Sequence, residues 1–237
     1  MEGPQGVREA VRHAPGRVRD VYVTPAAADR HPEIVADARA AGLHVHGATP
    51  EVLAAMSADA QGVLAVVRAD APRLEDVVAT LAGRDRPALV AVLATVRDPG
   101  NAGTVVRAAD AAGADAVVLA GESVDVHNPK VVRSTAGSLF HLPVVTGLDI
   151  DETLAALAAA GIRRLAADGA GESSIDDSDL TGPHVWVMGN EAWGLEPQTR
   201  AACDEVVRVP IHGHAESLNL AMATTICLYA SARQQRA

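Results

Sequence analysis

The sequence predicts an α/β fold built around a parallel sheet. Short runs rich in Val, Leu and Ala alternate with segments of helical pattern along most of the chain. The strand candidates are continuously apolar, which is typical of parallel strands covered by helices on both faces. A length of 237 residues suffices for one large domain, or for one medium and one small domain.

The first part of the chain predicts a small β-α-β-α-β domain. The predicted strands are 21–24, 43–46 and 62–67, and the predicted helices are 32–41 and 50–56. Each helix opens with a proline, which is favoured in a first turn. A polar stretch, a helical segment at 74–81 and a charged turn follow. We therefore predict a small domain over 1–70, a linker over 71–87 and a larger domain over 88–237.

The larger domain repeats the alternation of strands and helices. The predicted strands are 88–94, 116–119, 142–145, 162–166, 184–188 and 205–209, and the predicted helices are 102–112, 129–136, 151–160, 197–203 and 217–233. Open α/β sheets bind ligands outside the carboxyl ends of their strands. We therefore expect the functional side chains in the loops that follow strands.

Composition limits the partners and the compartment. The net charge is −10, and residues 149–205 hold twelve acids against three arginines, so global charge argues weakly against a nucleic-acid partner without excluding one. The two cysteines, Cys203 and Cys227, exclude a disulfide scaffold and suit a reducing compartment. The first residues lack the charged-then-apolar pattern expected of a secretory leader, and no apolar run approaches the ~20 residues of a membrane helix. We expect a cytoplasmic protein without a membrane partner.

Three loops carry unusual polar residues. After the strand at 88–94, Asn101 is placed to cap the next helix, Gly103 permits close backbone approach, and Arg107 lies six residues after Asn101. A plain turn with a helix cap is the alternative interpretation. The second loop follows the strand at 184–188, where Gly189 precedes Glu191. That carboxylate suits a ligand amine or a nearby arginine, and a surface turn is the alternative.

The third loop follows residue 209 and contains His212 and His214. Ser217 is predicted to cap the last helix, with Asn219 in its first turn. These polar residues alternatively do no more than start the helix. Metal binding by the two histidines is not favoured, because no third ligand is visible nearby. The sequence predicts no metal site.

The three loops together resemble a known family. The segments NAGTVVRAADAAGA, VMGNEAWGL and VPIHGHAESLNLAMATTICLYA resemble motifs 1, 2 and 3 of the SpoU (TrmH) family of RNA ribose 2′-O-methyltransferases, in the family's order and spacing. The segment NPKVVRSTAGSLFHLPV, over 128–144, also matches the family. Residues 1–67 more loosely resemble the small ribosomal-protein-like (L30e-like) RNA-binding domain often fused in front.

The resemblance implies a parallel-sheet SPOUT fold with a C-terminal deep trefoil knot, a homodimer, and S-adenosylmethionine as cofactor. By motif, Gly189, Val209 and Leu218 bind the cofactor through their backbone, with Ile211 and Asn219 nearby.

The family's polar set maps onto Asn101, Arg107, Glu191, Ser217 and Asn219. Arg107 is expected to contact the reacting 2′-oxygen and an adjacent phosphate, since a guanidinium is a poor base. Asn101 and Glu191 would orient it, while Ser217 and Asn219 would position the methionine part of the cofactor and the loop.

The resemblance also implies a structured RNA substrate, with 23S ribosomal RNA preferred, and no DNA partner. Transfer RNA and a catalytically silent RNA-binding or ribosome-assembly module remain the alternatives. Aromatic residues are only 2% of the chain, which argues against reading single strands by base stacking. The candidate RNA-binding residues are Arg133, by resemblance, and Lys130, Arg8, Arg12, Arg17 and Arg19, by local charge.

Overall fold

The computed structural model describes all residues, 1–237, and the chain divides into two compact units. Unit 1 comprises Met1–Asp70 together with Thr135–His141. Unit 2 comprises Ala71–Ser134 and Leu142–Ala237. Residues 135–141 therefore fold with the first part of the chain, although they are flanked in sequence by residues of unit 2. None of the helices combines the length and the apolar character that crossing a membrane requires.

Unit 1 is a three-stranded sheet with four helices. Its elements are α1 (Pro4–His13), β1 (Val18–Val23), α2 (Pro25–Arg30), α3 (Pro32–Ala40), β2 (His44–Gly47), α4 (Pro50–Met56) and β3 (Val63–Val67). The strand order is β2-β1-β3, with β2 parallel and β3 antiparallel to β1. Thr24 and Thr49 cap α2 and α4 by accepting hydrogen bonds from backbone N–H groups of the first turns.

Two helices of unit 1 are absent from the sequence prediction. In α1 the apolar face of Val7, Ala10 and Val11 is buried in the core, but only three apolar positions among ten residues mark it. The six residues of α2 are too short to show a helical period. Phe140, from the 3₁₀ turn Ser138–Phe140, is buried in the same core, which explains why residues 135–141 belong to unit 1.

Unit 2 is a seven-stranded sheet in which every strand pair is parallel, so the predicted parallel α/β fold is confirmed. The strands run in the order β6-β5-β4-β9-β7-β10-β8. The elements are α5 (Leu74–Ala82), β4 (Leu89–Ala94), α6 (Pro99–Ala112), β5 (Ala116–Ala120), α7 (Pro129–Ser134), β6 (Val144–Leu148), α8 (Ile150–Ala159), β7 (Arg163–Ala167), β8 (Ser173–Ser174), β9 (His184–Met188), α9 (Pro197–Ala201), β10 (Glu205–Arg208) and α10 (Leu220–Gln235).

The core of unit 2 lies against both faces of its central strands. All residues of β4, β5 and β9 are buried, as continuous apolar strands predict. The helix α5 lies within the predicted linker, but its residues Leu74, Val77 and Leu81 are buried in this core. Residues 74–82 therefore pack as a structural element of unit 2.

Two predicted helix caps are wrong. Asp98, not Asn101, caps α6: its carboxylate accepts the N–H of Asn101 at 2.6 Å, and Pro99 occupies the first turn. Asn219, not Ser217, caps α10: its side-chain oxygen accepts the N–H groups of Ala221 and Met222. Both helices thus begin at a different residue from the prediction, α6 three residues earlier and α10 three later.

A buried cluster of polar groups connects α10 to β9 through Ser231, His184 and Trp186. The imidazole of His184 lies 2.8 Å from the carbonyl of Gly182 and 2.7 Å from the hydroxyl of Ser231, which also accepts the indole N–H of Trp186. His184 is only 2% exposed. Burial lowers the pKa of His184 below its usual 6.5, because the charged imidazolium loses solvation.

We predict that acid destabilises the fold through His184. Below pH 6.5 the unfolded chain takes up a proton at this position that the folded chain resists, so the free energy of unfolding falls as the pH falls. Urea unfolding, followed by tryptophan fluorescence between pH 7.5 and 5, measures the slope. The slope should be smaller for His184→Gln than for wild type. His214→Gln, at an exposed loop position, is the control. Equal slopes for all three proteins would contradict the assignment.

Candidate active site

The carboxyl ends of β4 and β9 lie side by side. The two strands pair in parallel, with Leu93 opposite Met188, so the loops that follow them leave the sheet at the same edge. β9 lies between β4 and β7, although β4, β5 and β6 are the first three strands of this sheet in sequence. The order therefore reverses beside β4, and the crevice at such a switch point is where open α/β sheets bind ligands.

Glu191, in the loop after β9, binds the loop after β4. One of its carboxylate oxygens accepts the N–H of Asp98 and the side-chain amide of Asn101, both at 3.3 Å. The other oxygen accepts the N–H of Arg97 at 3.5 Å. These groups surround the N-terminus of α6, where a negative charge is stabilised by the helix dipole.

Asn101 extends this contact to the third loop. Its side-chain oxygen accepts a 3.0 Å hydrogen bond from the amide of Asn219, the residue that caps α10. A chain of side-chain hydrogen bonds, Glu191–Asn101–Asn219, therefore joins the three loops. Asn101 is 90 positions from Glu191 and 118 positions from Asn219. We call this chain the polar bridge. The structure thus brings together three of the five polar residues of the predicted site.

The structure does not bring Arg107 and Ser217 into the polar bridge. Arg107 is exposed on α6 and makes no hydrogen bond or ion pair within the chain. Six residues separate it from Asn101, which places the two side chains about 120° apart around the helix axis. Ser217 is exposed in the loop that precedes α10. The guanidinium of Arg107 is therefore available to a group outside the chain.

The predicted cofactor residues lie on two of the same loops. Val209, Ile211 and Leu218 belong to the segment between β10 and α10, in which residues 211–219 are all exposed. Ile211 and Leu218 are large apolar side chains that are 39% and 37% exposed. Exposed aliphatic side chains on a loop, next to backbone polar groups, suit the apolar face and the polar edge of an adenine ring.

Gly189 is required by the fold of the loop after β9. A Cβ at this position would lie 2.2–2.5 Å from backbone atoms of Gly194 and Leu195, which no side chain allows. The loop folds back in this way because Asn190 and Gly194 pair through two 2.9 Å backbone hydrogen bonds. Only glycine therefore lets the loop close over the end of β9.

Sequence reasoning missed Asn190, whose side chain connects the loop after β9 to the end of β4. Its side chain is buried, donates to the carbonyl of Thr95 at 2.7 Å and accepts the N–H of Ala192 at 2.8 Å. Thr95 has a φ of +58°, a left-handed conformation that is strained for a β-branched residue. No local signal marks Asn190, because its partner Thr95 is distant in sequence.

The candidate RNA-binding residues differ in their surroundings. In unit 1, Arg8 lies 3.5 Å from Glu9 and from Glu33, and Arg12 binds Asp37 at 2.6 Å. Arg17 donates to the carbonyl of Arg68, whereas Arg19 is exposed on β1. In unit 2, Lys130 and Arg133 lie on α7. Acids thus offset part of the predicted basic surface of unit 1.

Comparisons with known proteins agree with this site. A family model described as the SpoU rRNA Methylase family matches residues 88–229, which include all three loops of the site. The chain belongs to the SpoU rRNA methylase family. A second model, described as RNA 2′-O ribose methyltransferase substrate binding, matches residues 1–73.

One relative of this SpoU protein matches its whole length, and another matches a part of it. It is 32% identical over 241 residues to the 23S rRNA (guanosine-2′-O-)-methyltransferase RlmB of Bordetella pertussis, covering 100% of this chain and 97% of the relative. It is 42% identical over 142 residues to a 23S rRNA (uridine(2479)-2′-O)-methyltransferase of Streptomyces viridochromogenes, covering 58% and 50% of the two chains.

A solved structure adds the cofactor. The SpoU methyltransferase AviRb of Streptomyces viridochromogenes, in complex with AdoMet (S-adenosylmethionine), superimposes with a TM-score of 0.84 at 32% identity, covering 100% of this chain and 90% of that one. The AdoMet-bound rRNA methyltransferase of Sinorhizobium meliloti gives 0.83 at 30% identity, covering 98% and 86%. The predicted family, the enzyme class and S-adenosylmethionine as cofactor are confirmed. The individual site residues stay predictions.

We predict that Gly189→Ala disrupts the cofactor loop. The added Cβ would push backbone segments apart, so we expect the free energy of unfolding to fall by roughly 1–3 kcal/mol, as overpacking produces. We also expect the affinity for S-adenosylmethionine to fall by about tenfold or more. Gly169→Ala is the matched control, since Gly169 also follows a strand of this sheet and has open space around it. Urea unfolding and calorimetric titration measure both effects. Normal binding by Gly189→Ala would contradict the role of this loop.

Proposed function

We propose that this SpoU enzyme transfers a methyl group from S-adenosylmethionine to a ribose 2′-hydroxyl of 23S ribosomal RNA. The observation that carries the proposal is the polar bridge, because it assembles the three family motifs at the switch point of the sheet. The RNA target is supported by full-length relatives that are named as 23S rRNA 2′-O-methyltransferases. A structured RNA also suits a chain with 2% aromatic residues.

The loops at 189–194 and 209–219 would hold the cofactor, which supplies a sulfonium methyl group. Backbone groups of Gly189, Val209 and Leu218 would bind its adenosine, and Ile211 would cover the ring. Asn219 is fixed as a helix cap, so its backbone and its neighbour Leu218 are held in one conformation. The exposure of Ile211 and Leu218 supports this assignment, since bound ligand would cover both side chains.

Arg107 would act on the nucleophile. A ribose hydroxyl has a high pKa, and its oxygen becomes an effective nucleophile as its proton passes to a base, which places negative charge on that oxygen while it attacks the methyl group. A guanidinium beside that oxygen and the adjacent phosphate stabilises this charge, whereas its own pKa is too high for it to serve as the base. The absence of any partner for Arg107 within the chain supports a role toward substrate.

The other polar residues would act through position. Glu191, Asn101 and Asn219 hold the three loops at fixed separations, which keeps the two reactants in line. Ser217 lies two residues before the cap of α10 and would contact the methionine part of the cofactor. The RNA would be held by phosphate contacts from Lys130 and Arg133 and by Arg8, Arg12, Arg17 and Arg19.

We further propose that the enzyme is a homodimer that pairs through α10. Met222, Ile226 and Tyr229 follow one another at helical spacing and are 60%, 41% and 51% exposed. An exposed apolar stripe of this kind on a helix favours a protein interface.

Residues of unit 2 would form the family's trefoil knot, which is supported by β9 lying between β4 and β7. Two free cysteines and a ribosomal substrate support a cytoplasmic location.

We predict that Arg107→Ala loses about a hundredfold or more of its activity, as expected when a donor to a developing oxyanion is removed. Transfer of tritiated methyl from S-adenosylmethionine to total bacterial RNA, fractionated by size, measures it. We expect label in the large ribosomal RNA with wild type and with Arg39→Ala. Arg39 is the control because it is an exposed arginine in the last turn of α3 and lies outside the residues proposed for cofactor, RNA and dimer contacts.

Other outcomes of this assay would change the proposal in defined ways. Label confined to the transfer-RNA fraction would overturn the substrate and keep the mechanism. No label in any fraction, with S-adenosylmethionine still bound in calorimetry, would favour a catalytically silent RNA-binding module. Full activity of Arg107→Ala would remove Arg107 from the mechanism.

We predict that Ile226→Asp weakens the dimer. A carboxylate in the apolar stripe would have to be desolvated on association, which is unfavourable without a partner charge. Sedimentation velocity over the micromolar range should show a shift toward monomer for Ile226→Asp and no shift for Val52→Asp. Val52 is an exposed apolar residue of α4 in unit 1 and serves as the matched control. Wild type that is monomeric throughout this range would contradict the proposed interface.

A further inference from the structure

Unit 1 contains a cluster of metal-ligating side chains that methyl transfer does not use. Glu9 and His13 lie one turn apart on α1, and His141 directly follows the 3₁₀ turn at Ser138–Phe140. A carboxylate oxygen of Glu9 lies 3.4 Å from Nε2 of His13 and 3.2 Å from Nε2 of His141. One ligand atom from each residue lies within 4.8 Å of the other two.

The backbone holds this cluster in place. The inner face of α1 is buried in the core of unit 1, and Phe140, next to His141, is buried in the same core. Gly137 has a φ of +103°, and a Cβ there would lie 2.3 Å from the side chain of Glu9. A glycine at this position therefore lets the 3₁₀ turn approach Glu9 and bring His141 beside it.

We propose that Glu9, His13 and His141 bind a divalent transition metal of the zinc type. Zinc binds imidazole nitrogen and carboxylate oxygen at about 2.0–2.2 Å, so two ligands of a tetrahedral ion lie about 3.3–3.5 Å apart. The two separations from Oε2 of Glu9, 3.4 and 3.2 Å, are close to the edges of such a tetrahedron. Two histidines and one carboxylate leave one position of the ion for water.

The surroundings of Glu9 direct one oxygen to the ion. Its Oε1 lies 3.5 Å from the guanidinium of Arg8, whereas its Oε2 is the oxygen that faces both imidazoles. Arg8 thus orients the carboxylate of Glu9, and Oε2 faces the imidazole rings of His13 and His141. The side chains of Glu9 and His141 are 20% and 24% exposed, so water can reach the ion while the protein shields its other side.

A bound ion would cross-link α1 to residues 135–141, because the ligands come from both segments of unit 1. Binding to the folded state only would raise the stability of the unit, in proportion to the logarithm of the free metal concentration. Without an ion, the contacts of Glu9 with the two imidazoles are hydrogen-bonded pairs at a partly solvated site, and such pairs contribute little.

The test is zinc binding by the full-length chain, stripped with a chelator and assayed without RNA or S-adenosylmethionine. Calorimetry should give one zinc ion per chain, with a dissociation constant in the micromolar range or below. His13→Gln and Glu9→Gln should each weaken binding by about a hundredfold or more, since removal of groups that only orient metal ligands costs 10–100-fold. His13 has a half-exposed side chain, so its replacement leaves the core intact.

A double variant, His44→Gln with His46→Gln, is the matched control, because these histidines also lie close together on unit 1. It should bind zinc as wild type does. Cobalt(II) provides a second readout: strong visible absorption indicates tetrahedral coordination, and His141→Gln should abolish it. Failure of the wild type to bind zinc at micromolar concentration, or equal binding by His13→Gln, would overturn the proposal. Because the assay omits methyl transfer, its result is independent of the proposed enzymatic function.

Discussion

The arrangement of the candidate active site depends on the position of β9 between β4 and β7. Had the chain continued the order of its first three strands, the loops after β4 and β9 would leave the sheet at separate places. With β9 inserted, Leu93 and Met188 pair directly, and the loops that follow them are neighbours by construction. Buried apolar strands therefore fix where the polar residues meet, and no polar contact is needed to bring those two loops together.

The polar bridge then sets the fine geometry with neutral groups at its centre. Asn101 offers both a donor and an acceptor, so it links the carboxylate of Glu191 to the amide of Asn219 without adding charge. Asp98 and Glu191 both accept hydrogen bonds at the N-terminus of α6, where unpaired N–H groups stabilise them. Two carboxylates are thus accommodated at the start of the helix whose third turn carries Arg107.

The sequence predicts the strands better than the helix starts, for a physical reason. A buried parallel strand is a run of apolar residues, and β4 and β9 are found within one residue of their bounds. Several neighbouring polar residues can each cap a helix, and the predicted cap residues of α6 and α10 are wrong. Asp98 caps α6 in place of Asn101 because Pro99, which follows it, is favoured at the first position of a helix. This signal is present in the sequence.

Other features of the site depend on contacts that no local pattern reveals. The left-handed Thr95 is held by Asn190, 95 positions away, and a β-branched residue gives no warning of a positive φ. The motifs nevertheless identify the right loops, because glycine and polar residues that follow buried strands are visible without a structure. Which side chains form hydrogen bonds with one another, and that Arg107 forms no hydrogen bond or ion pair within the chain, is visible only in the structure.

Residues 135–141 show how a short apolar anchor assigns a segment to a unit. The motif-like segment 128–144 resembles the methyltransferase part of the family, yet residues 135–141 fold with residues 1–70 because Phe140 fills the core of unit 1. Unit 1 is therefore not a contiguous stretch of sequence. A fragment that ends at residue 70 would lack the Phe140 ring and the imidazole of His141. It would expose apolar surface around Val7 and Val11 and lose one side of the Glu9 cluster, so unit 1 is complete only when residues 135–141 are present.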